Sequence, residues 1–265
     1  MGYFKVDAKP LVPASLQHSN ANMTDTKLLS DWVEFEIPKG AAQLIGINVL
    51  YKGVDGADIA PADFEIIWAK GNPNGSAPTS LAAAGAVVAV PAAGSPPWYN
   101  LLQGKTFVDA SSGINDGDLL TMRMVSVPQV TGGIEASTGA GGSGFAERCP
   151  LVLQGEPNSG SSVGYDKLYC AIIAKATHAM TTSTLNVDAV YPTTVKTIVV
   201  EAIDARLQFA PGDVIHDEND RLLGTVASID SATGITFEDN LANATVADEH
   251  LYNVHPIVLQ LSFEK

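Results

Sequence analysis

Apolar and polar residues trade places one by one along short stretches of this chain, and that period of two narrows its fold more than any other feature. Val33, Phe35 and Ile37 alternate with Glu34 and Glu36; Ile45, Ile47, Val49 and Tyr51 follow, and then Phe64, Ile66 and Trp68. Successive side chains of an extended backbone point to opposite faces, so such runs form strands with one dry face and one wet face. Leu120, Met122 and Met124, set between Thr121 and Arg123, continue the series, as do Leu185, Val187, Ala189 and Tyr191 against Asn186 and Asp188. Leu168 to Lys175 is almost continuously apolar instead, the pattern of a central strand covered on both faces.

Between these runs, Pro38 to Gly40, Gly53 to Gly56, Asn72 to Gly75 and Asn115 to Gly117 supply the fixed or positive φ that tight turns require. With 24 Gly and 15 Pro against 17% charged residues, the chain is suited to many short strands rather than to long helices. One short helix is expected over Thr24 to Trp32, while the Ala-rich stretch Leu81 to Val90, broken by Gly85, stays open. Two stretches read as long surface excursions: 71–98, rich in Ala, Pro and Gly, and 131–144, with its Gly-rich end.

From about Thr197 the turns come every seven to ten residues. Phe209 to Asp213 is a turn that delivers Val214 and Ile215, His216 to Asp220 is a hairpin tip, and Leu222 to Val226 is the return strand. Ser228 to Gly234 then turns into Ile235 to Phe237, and Ile257, Leu259, Leu261 and Phe263 alternate in a closing strand. The expectation is an all-β protein: a β-sandwich or jelly-roll-like body over 1–195, and a small β-barrel over 196–265.

A formal charge of −14 repels phosphate backbones, so no direct nucleic-acid partner is expected. No run of about 18 apolar residues exists to cross a membrane as a helix. The opening Met1 to Lys5 carries no apolar leader, so synthesis in a cytoplasm is expected. Cys149 and Cys170 are the two cysteines, and the apolar surroundings of Cys170 point to a buried free thiol.

Chemistry is sparsely provided for. The five histidines include His250 and His255, whose odd spacing places them on opposite faces of a strand rather than around a metal. Asp213, Asp217, Asn219 and Asp220 form the best oxygen cluster, but a calcium loop counted from Asp217 requires Gly where Leu222 stands. Glu34 and Glu36 share a face, as a sugar hydrolase pair would, yet alternation already accounts for them as the wet side of a strand. No enzymatic activity, cofactor or metal is expected. Binding residues are expected in the excursions instead. Trp98 and Tyr99 either anchor a partner or tuck back into their own core, and Gly141, Gly142, Gly144 and Phe145 close an adaptable Gly-rich arm.

The run from Phe209 through Asp213, Val214, His216, Asp220, Leu222, Gly224 and Asp230 to Phe237 resembles a module of virion structural proteins of tailed phages, marine cyanophage-like ones above all. The ending 251–265 is similar in style. The resemblance covers about the last quarter of the chain and implies a protein of the phage virion, placed on the head surface as a decoration or cement protein. Its partners would be the major capsid protein or other virion proteins, with a homo-oligomer around a symmetry axis of the shell. A place in the neck, baseplate or tail fibre is the alternative. A carbohydrate-binding β-sandwich using Trp32, Trp68 or Trp98 is another.

Overall fold

The computed structural model describes residues 2–20, 22–55, 62–89, 98–108, 114–115, 120–126, 151–157, 163–180 and 182–265; of 114–115, 120–126 and 179 it describes the backbone. The first elements are β1 (Tyr3–Ala8), α1 (Ala14–His18), β2 (Asn22–Met23), β3 (Leu28–Pro38), β4 (Ala41–Lys52) and β5 (Phe64–Lys70). A short 3-10 turn, Trp98–Leu101, leads into β6 (Leu102–Val108), followed by β7 (Ile114–Asn115), β8 (Leu120–Ser126), β9 (Leu151–Gln154), β10 (Tyr165–Ala174) and β11 (His178–Ala179). The last third holds β12 (Asn186–Val187), β13 (Thr197–Glu201), β14 (Val214–Asp217), β15 (Leu222–Ile229), β16 (Gly234–Phe237), β17 (Leu251–Asn253) and β18 (Ile257–Glu264).

The fold is all-β, as the alternation requires, with a sandwich body and a small barrel. One sheet of the body runs β1-β18-β4-β8-β7, with β9 beside the first residues of β4; the other runs β3-β10-β5-β6. Their dry faces meet in one core: Phe35, Ile37, Phe64, Ile66, Trp68, Leu168, Cys170 and Ile172 from one side, Leu44, Ile47, Val49, Tyr51, Leu259, Leu261 and Phe263 from the other. Burying these side chains is the main force that joins the sheets. The Trp68 indole N–H is satisfied within it by Thr106 Oγ1 at 2.9 Å.

Sheet β12-β13-β16-β15-β14-β17 forms the barrel. It closes where Val187 N–H donates to the Glu249 carbonyl at 3.0 Å and Leu251 N–H to that of Leu185 at 3.1 Å. Leu185, Val187, Ile198, Phe209, Ile215, Leu223, Val226, Ile235 and Phe237 fill it. Its turns use side-chain chemistry: the Asp213 carboxylate accepts from Ala210 N–H at 2.9 Å, and Asp217 accepts from the N–H groups of Asn219 and Arg221 at 2.8 and 2.9 Å.

Three expectations are corrected. The helix expected over Thr24 to Trp32 is a turn followed by β3, because Leu28 and Leu29 point to opposite faces and both faces are covered; the short helix lies earlier, at Ala14–His18. In β4 the core position falls on Leu44 rather than Ile45, since a register shift against β18, between Ser262 and Phe263, moves the alternation by one. The closing strand, expected in a barrel spanning 196–265, pairs with β1 and β4 in the body sheet, while the barrel takes Asn186–Val187 from the stretch assigned to the body. The barrel is thus inserted between β11 and β18.

Candidate interaction site

β10 is buried on both faces, as its unbroken apolar run requires, and the cover on its outer face is the excursion after β5. Leu81, Ala82 and Val88 pack there with Trp98 on Leu28, Trp32, Ile67, Ala171 and Ile173. Hydrogen bonds hold the cover down. Leu28 N–H donates to the Ala86 carbonyl at 2.8 Å and Gly85 N–H to that of Leu28 at 2.7 Å. Trp32 Nε1–H donates to Thr79 O at 3.0 Å and Leu81 N–H to the Asp31 carboxylate at 3.1 Å. Gly85 stands at φ +81, and a side chain there would meet Leu16 Cδ1 at 3.0 Å.

Trp98 and Tyr99 open the 3-10 turn before β6, and the structure treats them differently. Trp98 is half-buried against the cover, its indole N–H directed to Ala89 O at 3.4 Å, whereas Tyr99 is 54% exposed. The rings sit edge to face, 5.9 Å apart with 75° between their planes. Trp98 thus gives Tyr99 an aromatic neighbour, and the Tyr99 ring, with few rotors to immobilise on contact, is presented to solvent beside it. Val87 and Leu102, exposed at 58% and 38%, add apolar surface on the same two segments; Val87 lies in a coil-like stretch and Leu102 opens β6, and neither gave a periodic signal to find it by. Gly141, Gly142, Gly144 and Phe145 lie outside the described residues, as does the rest of the 131–144 arm.

The remaining candidates are engaged in structure. Glu34 pairs with Lys167 at 2.8 Å and accepts from the Tyr169 hydroxyl at 3.1 Å, and burial first, then that neighbouring carboxylate, raises the phenol pKa. Asp213 pairs with Lys52 of β4, and Asp220 accepts from Ser15 of α1, so two of the four cluster residues join barrel to body. Arg221 bridges Asp217 and Glu249, and desolvation raises the Glu249 pKa. His250 and His255 serve separate contacts: their Nδ1 atoms lie 2.6 Å from Ser183 O and 3.1 Å from Pro10 O. Among the described residues no three His, Cys, Asp or Glu side chains converge as a metal set.

A cluster that no local spacing announced lies at the seam of body and barrel. His18 Nδ1 is 2.8 Å from the Tyr252 hydroxyl, which also accepts from Ser183 N–H at 3.2 Å; Glu218 stands 3.8 Å from the same imidazole nitrogen. The His250 ring lies 5.2 Å from that of His18. Burial pushes the Tyr252 phenol up to about 12, so it stays a neutral bridging hydroxyl. These contacts bind α1 to the barrel and make the seam a specific joint.

Of the three tryptophans, Trp68 is fully enclosed in the core, which puts it beyond reach of a sugar ring, and Trp32 lies partly beneath the cover. Among the described residues, the aromatic pair on the turn before β6 is the arrangement best built to meet a macromolecular surface. Comparison with protein-family models, with curated proteins and with solved structures finds no match to the chain.

Proposed function

We propose that the chain is a non-enzymatic structural protein of a tailed-phage virion, a decoration or cement protein that braces the head by bridging capsid subunits. Its joining role rests on one observation, an exposed Tyr99 ring packed edge to face on the half-buried Trp98. Aromatics of this kind are frequent anchors of protein interfaces, because they bury a large area with few rotors to immobilise. The virion assignment is supported by the resemblance carried by 209–237 and 251–265. The proposed partner is the major capsid protein. Many copies, each covering a modest interface, would oppose local opening of the shell through avidity rather than through one tight contact.

The experiment is addition of the purified protein to expanded shells that lack it, followed by sedimentation of the shells. Binding that saturates at a fixed ratio to capsid subunits, and that Tyr99→Ala weakens about tenfold or more, is expected; loss of one central aromatic anchor typically has that effect. Failure to bind, together with unchanged pressure resistance of virions made without the protein, would end the cement reading. A mass-spectrometric census of purified virions that finds only a few copies per particle would move the protein to the neck or tail.

A further inference from the structure

Among the described residues, β1 is the outermost strand of its sheet and pairs with β18 alone. Gly2 and Lys265 exchange both of their backbone hydrogen bonds at 2.9 Å, which fixes the phase of the ladder. In an antiparallel pair such doubly bonded residues alternate with unbonded ones. Phe4, Val6 and Ala8 accordingly turn their N–H and C=O groups to β18, and Tyr3, Lys5 and Asp7 turn theirs to the open edge. Among the described residues no backbone group bonds to that edge. The side chains of Tyr3, Lys5 and Asp7 are exposed, Tyr3 at 70%, and those of Phe4 and Val6 are half-buried.

A free edge is a template for another strand, and charges on it normally discourage pairing. Here they select one pairing. We propose that β1 docks on β1 of a second copy of this chain, antiparallel, about a twofold axis through Val6. In that register the outward backbone groups of Lys5 face those of Asp7 in the partner, and the reverse, so two ion pairs and four backbone hydrogen bonds form by symmetry. Val6 meets its own symmetry mate on the inner side, and Phe4 comes opposite Ala8, which extends the apolar layer across the joint. A twofold axis through Lys5 would set lysine against lysine, and one through Asp7 would set aspartate against aspartate, both unfavourable when directly opposed. Opposite charge at residues 5 and 7 is therefore self-complementary in one register of the three. The interface is isologous and closes at two copies, consistent with a strand that bears charges against uncontrolled growth. The dimer stands or falls independently of the virion reading.

Sedimentation velocity over a concentration series tests it with three proteins: wild type, Asp7→Lys, and the swap Lys5→Asp with Asp7→Lys. Wild type is expected to move toward twice the chain mass as concentration rises. Asp7→Lys opposes like charges twice and should weaken association about tenfold or more, and the swap should return it to within about threefold of wild type. Circular dichroism melts of both variants verify folding, and the swap guards against a merely misfolded single variant. A wild type that stays monomeric to about 100 µM, an Asp7→Lys protein that associates as wild type does, or a folded swap that stays monomeric would each overturn the proposal.

Discussion

Replacing Phe263 by Ala probes the placement of the closing strand. The side chain is fully buried between the sheets, its ring stacked 5.2 Å from Phe4 and 6.4 Å from Phe35. Truncating a buried Phe costs about 3–5 kcal/mol through lost transfer energy and an incompletely collapsed cavity. The two stacked neighbours put this site in the upper part of that range. With a urea dependence of about 2–3 kcal/mol per molar, a loss of about 4 kcal/mol lowers the unfolding midpoint by about 1.5 M. Tryptophan emission is the suitable probe, because Trp32, Trp68 and Trp98 all lie in the body and none in the barrel, and Trp68 sits edge-on to Phe35 at 6.0 Å. A midpoint within about 0.3 M of wild type would refute the argument, since so small a cost is incompatible with an enclosed phenyl ring.

Further outcomes follow from the same geometry. Gly155→Ala should destabilise by about 1–3 kcal/mol in the same assay, because the new Cβ would stand 2.5 Å from Asp166 Cβ and 2.9 Å from the Lys167 carbonyl, neither of which can yield easily. Burial pushes the Cys170 thiol up to about 12, so in a Cys149→Ser protein native labelling by a disulfide reagent at pH 8 should be slow and become rapid on unfolding. Burial lowers the pKa of both His178 and His255, so each stays neutral in the fold while the unfolded chain takes up a proton near the ordinary value of 6.5. Their contribution to stability is present above that value and is lost as pH falls below it; His178→Gln should flatten the melting-temperature profile between about pH 6.5 and 5.

Much of this fold was legible because it is locally encoded. Phe64, Ile66 and Trp68 face one core in the order their spacing announces, and the barrel hairpins follow from Asp213 and Asp217, whose carboxylates bond to backbone N–H groups within a few residues. Long-range information was not legible. The alternation of Ile257 to Phe263 marks a strand but not the sheet it joins, and the shift from Ile45 to Leu44 is imposed by a partner strand from the far end of the chain. At the candidate site the aromatic identities stood out, but which ring is seated depends on the cover formed by Leu81 and Val88. The His18, Glu218 and Tyr252 cluster joins residues far apart in sequence and had no local signature.

The insertion of the barrel also sets an order of events during synthesis. The barrel's strands and core residues lie between Leu185 and Val254, and its described contacts with Ser15, His18 and Lys52 are to segments made earlier, so this unit can assemble before β18 leaves the ribosome. The body waits longer, because β18 lies between β1 and β4 and is made after every other described strand of the body. Until then both neighbouring strands lack the ladder between them, and Phe4 lacks the ring it stacks on. Closure over so long a separation is slow. The nascent chain would hold a finished barrel on an open sandwich, with an apolar face in need of protection until β18 is made and docks.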